Sequence, residues 1–206
     1  MQERRFMQLD VFAEHGYAGN ALAVVIDGEG ISDDAMLRFA RWTNLSETTF
    51  LLPPTPAATA HGADYRVRIF TPAGELAFAG HPTLGSCHAW LASGGQPKRA
   101  DVVVQECAKG LITVEHQANS LAFVAPSLQR SDVPADLLQQ VLHALQLDAS
   151  QLQAAQWLDN GSRWMGLLMR DVAHLAHAQP NGAALRQLGV KAGLCALHPT
   201  TGNDES

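Results

Sequence analysis

Three short stretches carry side chains capable of chemistry. Glu47 stands between Ser46 and Thr48, at the mouth of a predicted strand and directly after a predicted helix. A carboxylate partly shielded from water there has a raised pKa, which suits it to moving protons. The stretch Phe70 to Trp90, FTPAGELAFAGHPTLGSCHAW, reads as a strand end, a turn at Pro72-Ala73-Gly74, a short extended run and then Gly80-His81-Pro82 opening a helix. A helix N-terminus offers free backbone N–H groups and partial positive charge, a seat for a carboxylate. His81 is an acid, a base or a hydrogen-bond donor to an anion. Asn20, after Gly19, is a third polar group able to meet a ligand. Each has a plainer reading: Glu47 as an exposed strand-end carboxylate, His81 as a surface histidine, Gly19-Asn20 as an ordinary turn.

Several other chemistries are disfavoured. His81, Cys87 and His88 do not share one helix face and no second cluster exists, so no metal site is expected. Gly80 and Gly85 fit neither glycine-rich phosphate motif, and Ser46 and Ser86 lack the GxSxG frame of a hydrolase elbow. Net charge is −6 with no run of Lys or Arg, which disfavours nucleic acid and anionic membrane as partners. No apolar stretch approaches the roughly 20 residues of a membrane span, and MQERRFMQLDVF lacks the apolar core of a signal peptide. Cys87, Cys107 and Cys195 show no CxxC spacing and read as reduced thiols of a cytoplasmic protein.

The elements that must position these residues follow from periodicity. Arg5 to Phe12 alternates as a half-buried strand; Ala21 to Ile26 is apolar throughout and so central. Ser32 caps a helix with Asp33 and Asp34 in its first turn, Met36, Leu37 and Ala40 inside, and Asn44 as a left-handed stop. Leu45 to Leu52 and Tyr65 to Ile69 are strands, with Thr55 to Ala63 a small-residue loop between them. The opening stretch supplies a helix over 82–93, stopped by Gly94-Gly95. Val102 to Glu106, Leu111 to His116 and Leu121 to Val124 form a meander with turns at 108–110 and 117–120. Asp132 and Pro134 open an amphipathic helix containing Leu137, Leu138, Val141, Leu142 and Leu145. Asn160-Gly161 turns a hairpin flanked by Trp157 and Trp164, read as packing residues; helical pieces near Leu175 and Leu185 and a strand over Gly193 to Leu197 precede a loop-like tail. Strands and helices do not alternate strictly, so the class is α+β, with a boundary between two units near residue 115.

Taken together, the motifs resemble the phenazine-biosynthesis isomerase family, the PhzF-like proteins. The matching pieces are DVFAEHGYAGNALAVV (10–25), NLSETTFLLPP (44–54), RIFTPAGELAFAGHPTLG (68–85), AKGLITV (108–114) and DNGSRWMGLL (159–168). One departure is Ala21, where the family usually has proline. The resemblance implies a diaminopimelate epimerase-like fold: two similar domains, each a curved, mostly antiparallel sheet wrapped around a central helix, with the active site in the cleft at the helix N-termini. The domains would be 1–115, holding helix 82–93, and 116–206. Related racemases use a cysteine from each domain; the first position aligns with Ala79, so two-thiol racemisation is not implied. The family instead uses the glutamate of NLSET, here Glu47, to move a proton between carbons of a dihydro-hydroxyanthranilate, an allylic-type isomerisation without cofactor or metal. Ser46, Gly80, His81 and Asn20 fall at positions expected to contact or position such a small carboxylate. A homodimer is implied for the full-length family.

Family members continue into a segment that opens a second central helix, and none is found here. The resemblance therefore implies an incomplete second domain and little or no isomerase activity from these 206 residues alone. The alternative is a non-catalytic binding or interaction module on the same scaffold.

Overall fold

The computed structural model describes residues 3–117 and 120–197. It divides into two compact units, Met1–Pro126 and Ser127–Ser206. The first contains β1 (Phe6–Val11), β2 (Asn20–Val25), α1 (Asp33–Thr43), β3 (Glu47–Leu52), α2 (Pro56–Ala60), β4 (Tyr65–Thr71), β5 (Gly74–Leu76), α3 (Gly80–Ala92), β6 (Val102–Cys107), β7 (Gly110–Gln117) and β8 (Ser120–Phe123). The second contains β9 (Gln129–Ser131), α4 (Ala135–Leu145), β10 (Leu152–Asp159), β11 (Arg163–Met169), α5 (Ala173–His177), α6 (Gly182–Leu188) and β12 (Ala192–Ala196). The class is α+β, as the sequence implies.

The first sheet runs β1-β2-β3-β4-β6-β7-β8, with β5 paired to β4. Its pairings are antiparallel except β2 with β3 and β4 with β6. Strands from both ends of this order, β1 and β8, pack on α3, as do β2, β3 and β6, so the sheet curls around the helix. Sequence explains why each strand sits where it does. In β1, Met7, Leu9 and Val11 are half-buried and alternate with exposed neighbours. The central strands are apolar on both faces. Leu22, Val24, Leu51, Tyr65, Val67 and Ile69 turn towards α3. Val25, Phe50 and Phe70 pack on the other side against Met36 and Ala40 of α1. Helix α1 is bounded as its sequence requires: Ser32 accepts from the Ala35 amide, and Asn44 closes the helix at φ 53°.

Helix α3 carries small residues where the sheet comes closest. A Cβ added at Gly85 would stand 2.5 Å from Leu22 Cδ2 and 2.9 Å from Val11 Cγ2. The helix starts at Gly80 rather than 82, because extended Ala79 acts as its cap residue and its carbonyl accepts from both the amide and the hydroxyl of Thr83. Gly80 and His81 thus belong to the first turn. Over the exposed face of α3, β1 and β8 flank a groove of about 930 Å³ lined by Leu9, Val11, Leu84, His88, Leu91 and Leu121.

Two further expectations are corrected. The boundary near 115 falls inside β7; the units meet at 126/127, because the β6-β7-β8 meander completes the first sheet through the β4–β6 pairing. Thr55 to Ala63 is not a loop. Thr55 caps α2 by accepting from the Ala58 amide, and Glu106 receives both the Thr55 amide (2.7 Å) and hydroxyl (2.8 Å). The alanines that made the stretch look featureless are good helix formers. Strand β9 has too little apolar pattern to be read from sequence; all three of its residues are exposed. Residues 118 and 119 of the expected 117–120 turn, and the tail from 198 onward, lie outside the described residues.

In the second unit the sheet order is β12-β11-β10-β9, with β11 and β12 parallel. Val141, Leu142 and Leu145 of α4 pack with Trp157, Met165, Leu167 and Met169. The expected hairpin turns at Asn160-Gly161, and Arg163 lies over the Trp157 ring, so Trp157 is a packing residue. Among the described residues no helix is long and apolar enough to cross a membrane.

Because the Gly85 contacts are close-packed, Gly85→Val should lower unfolding free energy by about 2 kcal/mol or more. Gly16→Ala, where nothing lies within 4 Å of the added carbon, should change it by less than about 0.5 kcal/mol. Urea midpoints at constant m-value check both.

Candidate active site

The parallel register of β2 and β3 pairs Leu22 with Glu47, which sets the starts of the two strands side by side at one sheet edge. Asn20, the first residue of β2, and Ser46-Glu47, at the start of β3, therefore meet there. The first turn of α3 arrives at the same place. Ser46 Oγ donates to Asn20 Oδ1 at 3.0 Å. Asn20 Nδ2 lies 3.4 Å from His81 Nδ1, and Glu47 Oε2 lies 3.5 Å from the same nitrogen. Residues 20, 46, 47, 80 and 81, separated by up to 61 positions, form one cluster.

The cluster is graded in exposure. Asn20 and Ser46 are at the exposed rim. The Glu47 side chain is 17% exposed and that of His81 only 8%. His81 Nε2 is fully buried and has no hydrogen-bond partner. A buried polar atom left unsatisfied costs about 1–3 kcal/mol, so such an atom marks a place where a ligand group fits. Burial holds the His81 pKa below its ordinary value, opposed by the Glu47 carboxylate and the Ala21 carbonyl, which stabilise the charged ring. The first-turn amides of Gly80 and His81 have no intrahelical partner, and Ala79 supplies no side-chain cap, so helix end and imidazole address the same space.

Behind the site, buried hydroxyls lock the scaffold. Ser86 Oγ donates to Thr49 Oγ1 at 2.9 Å, tying α3 to β3. Thr48 Oγ1 and Thr43 Oγ1 are 2.9 Å apart, tying β3 to the end of α1. On the other side of α3, Gln105 Nε2 reaches Thr83 Oγ1 at 3.4 Å while its Oε1 accepts from the Tyr65 hydroxyl at 2.6 Å.

One residue escaped the sequence reading. Phe123 of β8 stands over Gly80, its Cζ 3.3 Å from where a Cβ would be. It also meets Phe78 edge-on at 5.6 Å. The alternation in SLAF places Leu121 and Phe123 on one face of β8, but nothing local ties that face to residue 80. Cys87 is enclosed in the core, where burial pushes its thiol up to about 12. Cys107 is buried and likewise raised. Among the described residues no three His, Cys, Asp or Glu side chains form a metal-holding group.

The His81 shift sets a pH dependence. Its folded pKa lies below the unfolded value of 6.5. As pH falls below 6.5 the unfolded chain takes up that proton first, and stability is lost through the window down to the folded pKa. An NMR titration should place the His81 midpoint below 6.5, and Glu47→Gln should lower it further by removing the carboxylate that favours the charged ring.

Against known proteins, residues 9–205 match the profile of the phenazine biosynthesis-like protein family. The trans-2,3-dihydro-3-hydroxyanthranilate isomerase of Pseudomonas aeruginosa is 35% identical over 188 residues, covering 88% of this chain and 63% of that protein. Antisense-enhancing sequence 1 of Schizosaccharomyces pombe is 35% identical over 196 residues, covering 91% and 65%. The chain thus spans somewhat less than two thirds of these relatives. Among solved structures, a predicted epimerase from P. aeruginosa superposes with a TM-score of 0.75 at 29% identity, over 93% of this chain and 70% of the other. The motifs around Asn20, Glu47 and His81, the curled sheet around α3 and a profile match of this length lead to one conclusion: the chain belongs to the phenazine biosynthesis-like, or PhzF-like, family.

Proposed function

We propose that the cluster is a proton-transfer site of a PhzF-like isomerase, acting without cofactor on a small cyclic amino acid or related carboxylate. The carrying observation is His81 Nε2, buried and unpartnered beside Glu47 at the N-terminal end of α3. Glu47 is the base: its carboxylate is partly shielded and stands at a strand start with its backbone fixed by the β2–β3 ladder. It takes a proton from an acidic carbon of the substrate and returns it to another. The allylic anion formed between those steps is stabilised by donors at the site, chiefly the His81 ring and the first-turn amides of α3. The substrate carboxylate seats on those same amides. Similarity to a protein named as a dihydro-hydroxyanthranilate isomerase supports this substrate class.

The reaction is read as deuterium uptake from D₂O into trans-2,3-dihydro-3-hydroxyanthranilate during its isomerisation. Exchange that falls about 100-fold or more in Glu47→Gln fits an acid–base role of ordinary size. Exchange undiminished by that substitution overturns the role of Glu47. Binding of the substrate with no exchange would assign the chain to the non-catalytic module instead.

A further inference from the structure

The first two residues of α3 look in different directions, since successive helical positions point about 100° apart. His81 meets the starts of β2 and β3 through Glu47 and Asn20. Gly80 meets β8 instead. Phe123 Cζ and Cε1 lie 3.3 and 3.8 Å from the point that a Gly80 Cβ would occupy. The ring is held there by two neighbours. The antiparallel ladder pairs Phe123 with Val114, a fully buried residue of β7. Phe78, also buried, braces the ring edge-on, with centroids 5.6 Å apart and planes at 69°. Phe123 itself is half-buried, so part of it stays open at the mouth of α3. Free first-turn amides attract a carboxylate, but the aromatic side chain beside them offers the rest of a ligand no conventional hydrogen-bond partner. It favours a flat apolar group and leaves a strongly hydrated one unsatisfied. Glycine at 80 allows this closeness; a Cβ there would press on the ring.

We propose that Phe123 is a specificity-determining residue: its ring is the apolar wall of the carboxylate seat at Gly80, and it selects a flat, unsaturated ring acid over an acyclic amino acid carrying the same polar groups. This role rests on the proposed isomerase reading, in which the substrate carboxylate seats on the first-turn amides of α3. It makes the site two-sided. Glu47 and His81 meet the part of the substrate that gains and loses a proton, while Phe123 meets its hydrocarbon part. A residue on the free edge strand of the sheet thereby sets which acids the helix end accepts.

The experiment compares binding of 3-hydroxyanthranilate with that of L-serine, which carries a carboxylate, an amine and a hydroxyl without the ring, by NMR titration of the 206-residue chain. The wild-type chain should prefer the ring acid by about tenfold or more. Phe123→Leu keeps an apolar side chain but loses the flat face, and should cut that preference by about three- to tenfold. Gly80→Ala works from the other side with Phe123 in place: its added carbon displaces the ring and should also lower the preference, but no further once Phe123→Leu is present. Taking the ratio of two affinities cancels damage to the shared carboxylate seat, and Gly80→Ala decides the matter even where Phe123→Leu does not fold. A pure packing role would move the urea midpoint of Phe123→Leu and leave the ratio unchanged, which overturns the proposal. So does a wild-type chain that fails to bind the ring acid, or a double variant whose losses add. The titration needs no turnover: deuterium exchange without ring preference sinks the role of Phe123 alone, and ring preference without exchange sinks the isomerase reading alone.

Discussion

The structure depends on burying α3 inside a curled sheet. A helix enclosed on most sides cannot be amphipathic; it needs small residues where strands press closest and a partner for every polar group it carries in. Gly85, Ser86, Cys87 and Ala89 meet the first demand. Ser86 and Thr83 meet the second through Thr49 and Gln105. Each such group left unpaired would cost about 1–3 kcal/mol, so the hydroxyl pairs also fix how the helix is rotated about its axis. Thr49 lies on β3 and Gln105 on β6. With both contacts made, the first turn must present His81 to the starts of β2 and β3. The site is thus a consequence of core packing: rotation of α3, set five residues away at Ser86, decides which side chain meets Glu47.

The pairing of His81 with Glu47 is tuned rather than strong. Burial disfavours the imidazolium, while the carboxylate favours it, and the net direction is downward. A full ion pair would tie both side chains to each other and leave neither free for a substrate. At 3.5 Å the carboxylate is close enough to favour the charged imidazole and too far away to be consumed by a mutual bond. A neutral ring keeps one donor and one acceptor, which allows Nδ1 to be satisfied from behind while Nε2 stays available.

Much of this was legible in the amino-acid order because local physics and fold agree. Ser32 before Asp33-Asp34, Asn44 after the helix, Asn160-Gly161 between two strands and Pro82 in the first turn of α3 are signals whose cause lies within a few residues. Glu47, Ser46, Gly80, His81 and Asn20 were each identifiable as residue types at strand or helix ends, and the motif resemblance joined them. What sequence could not supply was long-range. The boundary was misplaced because whether a meander closes one sheet or begins another depends on the parallel β4–β6 pairing, which leaves no local mark. Helix α2 was missed because much of what holds it comes from Glu106, some fifty residues on. Phe123 over Gly80 is likewise a product of curvature, visible only once β8 comes round to the mouth of α3.

The position of the thiols supports the proposed assignment of the chemistry to a carboxylate. Helix α3 has a chemically open end and a closed middle. Ala79, at the open end, carries nothing ionisable; Cys87, two turns in, is fully buried, and burial pushes its pKa up to about 12. At neutral pH that thiol stays protonated and has no path to a ligand, so it is a packing group. A base must stand where substrate arrives, and at this mouth the available acid–base groups are His81 and Glu47. The imidazole sits deeper and its charged form is penalised by burial, which suits it to donating a hydrogen bond. The carboxylate is the better exposed of the two, which suits it to meeting a substrate proton. The proposed division of roles follows this difference in depth.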